Sequence, residues 1–415
     1  MLDGSSGVPA AMRGSGPRRA TVAFIFVTVL LDMLSLGMIL PVLPKLVENF
    51  MGGDTARAAE IFGIFGTAWA LMQFLFSPVL GALSDAYGRR PVVLISNFGL
   101  GLDYILMALA PNLWWLFVGR VISGITAANI STGFAYITDV TAPEQRAKSF
   151  GLIGAAFGLG FILGPALGGV FGAIDPRLPF WIAAGLSLVN ALYGVFVLPE
   201  SLPPERRMPF ALRRANPIGS LVLLRSHPEL TGLACSEFLA DLAHAVLPSV
   251  FVLYAGYRYN WDEQMVGLTL AVVGVCSLIV QVGLVGPIVG RLGERRALAL
   301  ALFSGTAGFM VFGLATIGPV FWIGIPIMSL WGLADPAING LMSRRVSASE
   351  QGQLQGAKAS IMGIANMIGP GVFTLTFAYS IGAGSIWHLP GAPFLLAGIF
   401  LMASMALAWH VTRVR

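Results

Sequence analysis

Long apolar runs alternate with short polar turns along almost the whole chain. A helix that crosses a bilayer needs about 20 mostly apolar residues. Twelve segments meet that requirement: 21–41, 61–84, 91–110, 113–136, 150–173, 178–198, 230–254, 266–289, 297–317, 320–342, 354–381 and 392–411. The pattern predicts an all-α membrane protein of twelve transmembrane helices. The longest unbroken polar stretch, 199–228, follows the sixth segment and holds Arg206, Arg207, Arg213, Arg214 and Arg225. The expected organisation is a disordered Gly/Ser/Pro-rich tail (1–19), a six-helix bundle (20–198), a basic linker (199–228) and a second six-helix bundle (229–415). Segment 21–41 is too long for the apolar core of a signal peptide and lacks a small-residue cleavage site after it, so it reads as a retained first span.

Composition agrees with lipid as the solvent. The 415 residues are 56% hydrophobic and 11% charged, with a mean hydropathy of +0.80, against roughly 25% charged in soluble domains. A net charge of +5 and a pI near 9.5 do not imply nucleic acid. The arginines sit in short loops between apolar runs, where they act as topology signals. With the N-terminus inside, 20 of the 25 Lys and Arg, Lys358 among them, fall on the inner side. That bias puts both termini and the linker in the cytoplasm. Cys235 and Cys276 lie inside apolar runs and form no disulfide framework. The 51 glycines, about 12% of the chain against a usual ~7%, suit close packing of membrane helices.

The two halves repeat. Gly88 corresponds to Gly293, and Gly164-Pro165 to Gly369-Pro370, each at an offset of 205. Glu144-Gln145 and Glu350-Gln351 differ by 206. Parallel six-span repeats with a substrate site at their interface describe one transporter architecture.

Charges inside apolar spans are costly and so mark candidate sites. Here they are Asp32, Asp103, Arg120, Glu237, Asp241 and Asp335. Asp32 and Glu237 are also 205 apart, and across a pseudo-two-fold axis they would line opposite walls of one cavity. Glu237, Asp241 and His244 share one helix face, a candidate site of proton exchange or a polar stripe against a neighbouring helix. Asp103 and Arg120 flank the turn at Pro111-Asn112 at similar depth, as an ion pair would. Asp335 precedes Pro336, which should kink its span; with Asn339 it would line the cavity or satisfy the kink. Gln73, Asn129, Gln281 and Asn366 suit interhelical hydrogen bonds. There is no phosphate loop, metal-ligand cluster or catalytic triad. That predicts no enzyme, no cofactor and no bound metal, and energy from an ion gradient.

Residues 81–91, read Gly81-Ala82-Leu83-Ser84-Asp85-Ala86-Tyr87-Gly88-Arg89-Arg90-Pro91, resemble the first signature loop of major facilitator transporters. Arg120-Val121-Ile122-Ser123-Gly124-Ile125-Thr126-Ala127-Ala128 resembles that family's span-four signature. Gly158, with Gly164-Pro165-Ala166-Leu167-Gly168-Gly169, resembles its antiporter signature. Leu31-Asp32, Leu102-Asp103-Tyr104 and Gln281 are similar to the tetracycline-resistance branch of drug:proton antiporters. The resemblance covers roughly 22–379. It implies alternating access by a monomer in a bacterial inner membrane, with a small-molecule substrate, protons and the lipid bilayer as its partners and no nucleic acid. Drug efflux is the implied direction, with nutrient import or facilitation as the alternative; a non-transporting receptor or scaffold would need an appended soluble domain or long tail. It also implies that Asp85, Gly88, Arg89, Arg90 and Asp139 form a cytoplasmic gate that latches the halves in an outward-open state, and that Asp32, Asp103 and Arg120 handle substrate or protons. Two departures argue against tetracycline itself. The stretch 302–306 holds no acid where tetracycline exporters carry one, and Glu237 and Asp241 lie outside their pattern.

Overall fold

Apolar runs fold as helices in lipid because every backbone group must be satisfied within the segment. A computed structural model describes residues 16–126, 129–141, 145–211, 215–347, 349–386 and 388–413, and its regular structure there is helical. In the first half these are α1 (Gly16–Ile39), α2 (Leu43–Phe50), α3 (Thr55–Tyr87), α4 (Arg89–Leu109), α5 (Leu113–Thr126), α6 (Asn129–Val140), α7 (Arg146–Ile174) and α8 (Leu178–Val197). A linker with two 3-10 turns and α9 (Leu223–Ser226) leads into the second half. That half holds α10 (Pro228–His244), α11 (Val246–Tyr259), α12 (Glu263–Ile279), α13 (Val285–Leu292), α14 (Glu294–Leu314), α15 (Gly318–Ser329), α16 (Ala334–Ser343), α17 (Gln351–Ile381) and α18 (Ala392–Val411).

Among the described residues, eleven stretches are long and apolar enough to cross a membrane. The expected segment 113–136 overlaps two shorter described helices, α5 and α6, on either side of residues 127 and 128, which lie outside the description; neither alone has the length of a span. Several boundaries differ from expectation. Residues 16–19, expected as disordered tail, open α1, and α2 occupies what hydropathy reads as a loop. Span seven is two helices meeting at Ala245. Span eight passes through a π turn, Val280–Leu284, between α12 and α13. Span ten passes through a 3-10 turn, Leu330–Leu333, between α15 and α16. Each of these last two turns holds the residue four before a proline, Gly283 before Pro287 and Gly332 before Pro336. A proline ring clashes with the carbonyl four residues back, so the preceding turn leaves α geometry. Pro165 and Pro370 nevertheless sit inside unbroken helices.

The halves meet along two seams, α7 with α12 and α3 with α17. Both seams are tight at the end far from the linker and part toward the linker end. A methyl added at Gly169 would lie 3.0 Å from Gly267 Cα, and one at Gly158 would lie 3.9 Å from Leu278. At Gly154 and Gly151 it would meet nothing within 4 Å. On the other seam a methyl at Gly66 would lie 3.0 Å from the Pro370 ring, whereas Gly81 and Gly352 have nothing within 4 Å. The bundle is therefore a V, closed at one end and open at the linker end. The signature glycines also hold α7 to α1: a methyl at Gly164 would lie 2.8 Å from Gly37 Cα, and one at Gly168 2.7 Å from Met38 Cα.

The linker is also fastened to the second half. His227, just ahead of α10, lies 2.9 Å from Glu229 through Nδ1 and 3.1 Å from Glu350, at the head of α17, through Nε2. Arg345 donates to the Glu229 carbonyl. The Glu350 and Glu229 carboxylates raise the His227 pKa above its ordinary 6.5. Hydrogen bonds from Ser347 and His227 hold Glu350 down at about 2. The His227 contribution is complete below its unfolded pKa and fades as pH rises through its raised folded value; that of Glu350 is lost only as pH falls through about 2. Thermal unfolding should therefore show the parent protein above His227→Gln at pH 6, with the gap closing by pH 9. A gap independent of pH would mean the imidazole acts by packing alone.

Candidate functional site

The polar loop between α3 and α4 builds a charge cluster. Gly88 turns the chain with φ +106°, a conformation that L side chains rarely adopt. That turn starts a new helix at Arg89. Arg89 reaches Asp85 at 2.5 Å, Asp139 of α6 at 3.2 Å and the Ser84 hydroxyl at 2.6 Å. Ser201 donates to the same Asp139 carboxylate. Glu200 accepts from the Arg89 and Arg90 backbone N–H groups at 2.9 and 3.3 Å. A carboxylate at a helix N-terminus satisfies orphan donors and complements the helix dipole. The Arg90 guanidinium donates to the Val195 carbonyl. Every partner in this cluster comes from the first half or the start of the linker. Glu200 is not legible in the sequence because Arg89 and Arg90, which it caps, are more than 100 residues away.

Within the first half, Asp32 is buried and accepts from Asn190 Nδ2 at 3.1 Å. It borders a small cavity with Thr28, Val93 and Gly133. Asp103 is buried with neither carboxylate oxygen hydrogen-bonded. The Arg120 guanidinium stacks over Trp69, 5.2 Å from the ring centroid, and its Nε has no partner. The expected Asp103–Arg120 ion pair is not formed in this conformation: Asp103 is turned toward the Gly119 backbone and Arg120 toward Trp69.

The second half holds a larger cavity of about 400 Å³. Glu237, Asp241 and His244 project into it from α10, Gln281 from the π turn, Trp331 from the 3-10 turn and Asp335 from α16. The shared face read from the spacing of Glu237, Asp241 and His244 is thus the cavity wall. Ser236 fixes α10 against α18 through hydrogen bonds with Ser404. Asp32 is not among the lining residues, so the two acids at equivalent repeat positions occupy separate cavities in this conformation. Asn339 is turned away and accepts from Gln355 at 3.0 Å.

Lys358 joins this site. It lies seven residues into α17, with Nζ 3.1 Å from Glu237 and 3.0 Å from Asp335. A lysine inside an apolar segment was its signal in the sequence, and nearness to the polar stretch before α17 obscured it.

The profile of the Major Facilitator Superfamily matches residues 25–370, and again 233–415. The chain belongs to the Major Facilitator Superfamily. Within this family of transporters it is 38% identical over 374 residues to the class C tetracycline resistance protein of Escherichia coli, covering 89% of this chain and 93% of the relative. It is 37% identical to the class G protein of Vibrio anguillarum, covering 89% and 93%. Solved structures share the fold. A nucleoside transporter aligns with a TM-score of 0.79 at 11% identity, covering 95% of this chain and 100% of the other. A human organic anion transporter aligns with a TM-score of 0.70 at 24% identity, covering 94% and 99%. The protein is a multi-pass membrane transporter resembling the tetracycline-resistance branch.

Proposed function

We propose that the chain is a secondary active transporter that exports an amphipathic small molecule in exchange for protons. It would work by alternating access, as a monomer in a bacterial inner membrane, with both termini and the linker in the cytoplasm. The observation that carries the reading is an acid-lined cavity walled by apolar helices of membrane-spanning length, in a bundle closed at one end only. A V-shaped bundle is one of the two states that alternating access requires. The similarity to tetracycline resistance proteins supports export rather than uptake. Asp32, Asp103, Arg120, Glu237 and Asp241 are the candidates for substrate and proton handling. Asp85, Arg89 and Asp139 are the candidates for a latch that engages the second half when the linker end closes.

Substrate-induced proton flux in proteoliposomes, across a panel that includes tetracycline, tests this. Asp32→Asn or Glu237→Gln should abolish the flux while leaving a folded protein. Undiminished flux in both variants would remove the coupling assignment, and inward solute movement down the proton gradient would reverse the direction.

A further inference from the structure

The cavity of the second half carries more acid than base. Glu237, Asp241 and Asp335 line it, and Lys358 is the one cation bound to them among the described residues. Glu237 is 6% exposed; its Oε1 meets Lys358, while its Oε2 is buried with no hydrogen-bond partner. Asp241, one turn further along α10, makes no ion pair among the described residues. The rest of the wall is mainly apolar, with Trp331 and His244 ring to ring at 5.4 Å.

An unpaired buried carboxylate is costly in such surroundings unless a positive charge reaches it. Asp335 is 84% exposed and can be hydrated, but the two more enclosed carboxylates, Glu237 and Asp241, against one ammonium still leave the cavity with a formal surplus of negative charge. A cation relieves that surplus, a neutral solute leaves it and an anion adds to it. The indole face of Trp331 is a second element suited to a cation. The volume of about 400 Å³ falls within the ~300–1,000 Å³ typical of small-molecule sites.

We propose that this cavity binds a lipophilic organic cation, and that Lys358 is its built-in competitor. The Lys358 ammonium neutralises Glu237 and Asp335 while the site is empty. An incoming cation takes over those carboxylates, with Asp241 as the acid that Lys358 does not engage. The proposal rests on the transporter reading above and narrows its substrate to a positively charged amphiphile.

Binding of tetraphenylphosphonium to the purified full-length protein in detergent tests this without any transport step. The permanent charge of the probe excludes deprotonation as an explanation. The parent protein should bind it in preference to tetraphenylborate, its anionic counterpart. Lys358→Gln should tighten binding about tenfold, and Glu237→Gln should weaken it about tenfold, as expected for a desolvated charge pair. Asp241→Asn should weaken binding similarly while leaving the Lys358 bridge in place, and it decides the matter if Lys358→Gln does not fold. Equal binding of the two probes, absence of tetraphenylphosphonium binding by the parent, or an unchanged affinity in Asp241→Asn would each overturn the proposal. Solute-driven proton flux that survives any of these results would leave the transporter reading standing.

Discussion

Gly169→Leu should all but lock the transporter out of the conformation described here. The α7–α12 seam has no room for a side chain at this point: the first added carbon would already meet the Glu263 carbonyl and lie 3.0 Å from Gly267 Cα. Backbone on both sides cannot move aside as a side-chain tip would. Overpacking of this kind costs about 1–3 kcal/mol, and each ~1.4 kcal/mol shifts a two-state population about tenfold. The state with the far end sealed should become about five- to 150-fold rarer, and transport should fall accordingly. With Cys235 and Cys276 replaced and a single cysteine at Glu263, half-buried against Gly169 and Gly172, labelling by an impermeant maleimide should rise. Gly158→Leu is the control, since its nearest neighbour is the Leu278 side chain at 3.9 Å. Equal labelling of parent and Gly169→Leu would mean that the seam yields elsewhere.

Arg89→Ala should be the most destabilising change at the linker end. It leaves Asp85, Asp139 and the Ser84 hydroxyl without their shared cation. The Arg89 side chain is only 12% exposed, but Asp85 is 43% exposed and can be rehydrated. A fully buried pair broken on one side costs about 3–5 kcal/mol. Allowing for that exposure, about 2–3 kcal/mol is expected. Arg89→Lys should recover part of it, because one ammonium cannot fork between two carboxylates and a hydroxyl. The check is thermal unfolding of single and double variants. Arg89→Ala should cost less when Asp139→Asn is already present, and strictly additive losses would show that the two side chains are not coupled.

What was legible in the sequence was whatever hydropathy and local motifs can carry. The apolar runs located most of the spans, the polar stretch located the linker, and 81–91 marked a turn that proves to be a charge cluster. Internal breaks were harder to see. The interruption at Ala245 lies inside the protein, where carbonyls can be satisfied by neighbours, so the segment stays as apolar as an unbroken one. The turns before Pro287 and Pro336 were half-visible, because proline flags the carbonyl four residues back. Pro165 and Pro370, held in unbroken helices, show that this flag does not decide alone. Depth was the least legible property. Lys358 is close in sequence to polar residues, and only the fold brings it to Glu237 and Asp335. Asp103 and Arg120 were placed at similar depth, yet side-chain direction separated them, and direction depends on neighbours such as Gly119 and Trp69.

The π turn at Val280–Leu284 has a consequence for span eight as a mechanical part. A π turn holds one residue more than the α turn it replaces. One residue corresponds to roughly 100° of rotation about the axis. The stretch after the turn is therefore out of phase with the stretch before it. The leading stretch is committed to α7 through Gly267 and the positions that follow on the same face, while Gly283, Gly286 and Gly290 have nothing within 4 Å. Span eight is thus two rods out of register: the leading one packs against the opposite half through Gly267 and Gly274, and the trailing one turns a different face, with Gly283, Gly286 and Gly290, away from close neighbours.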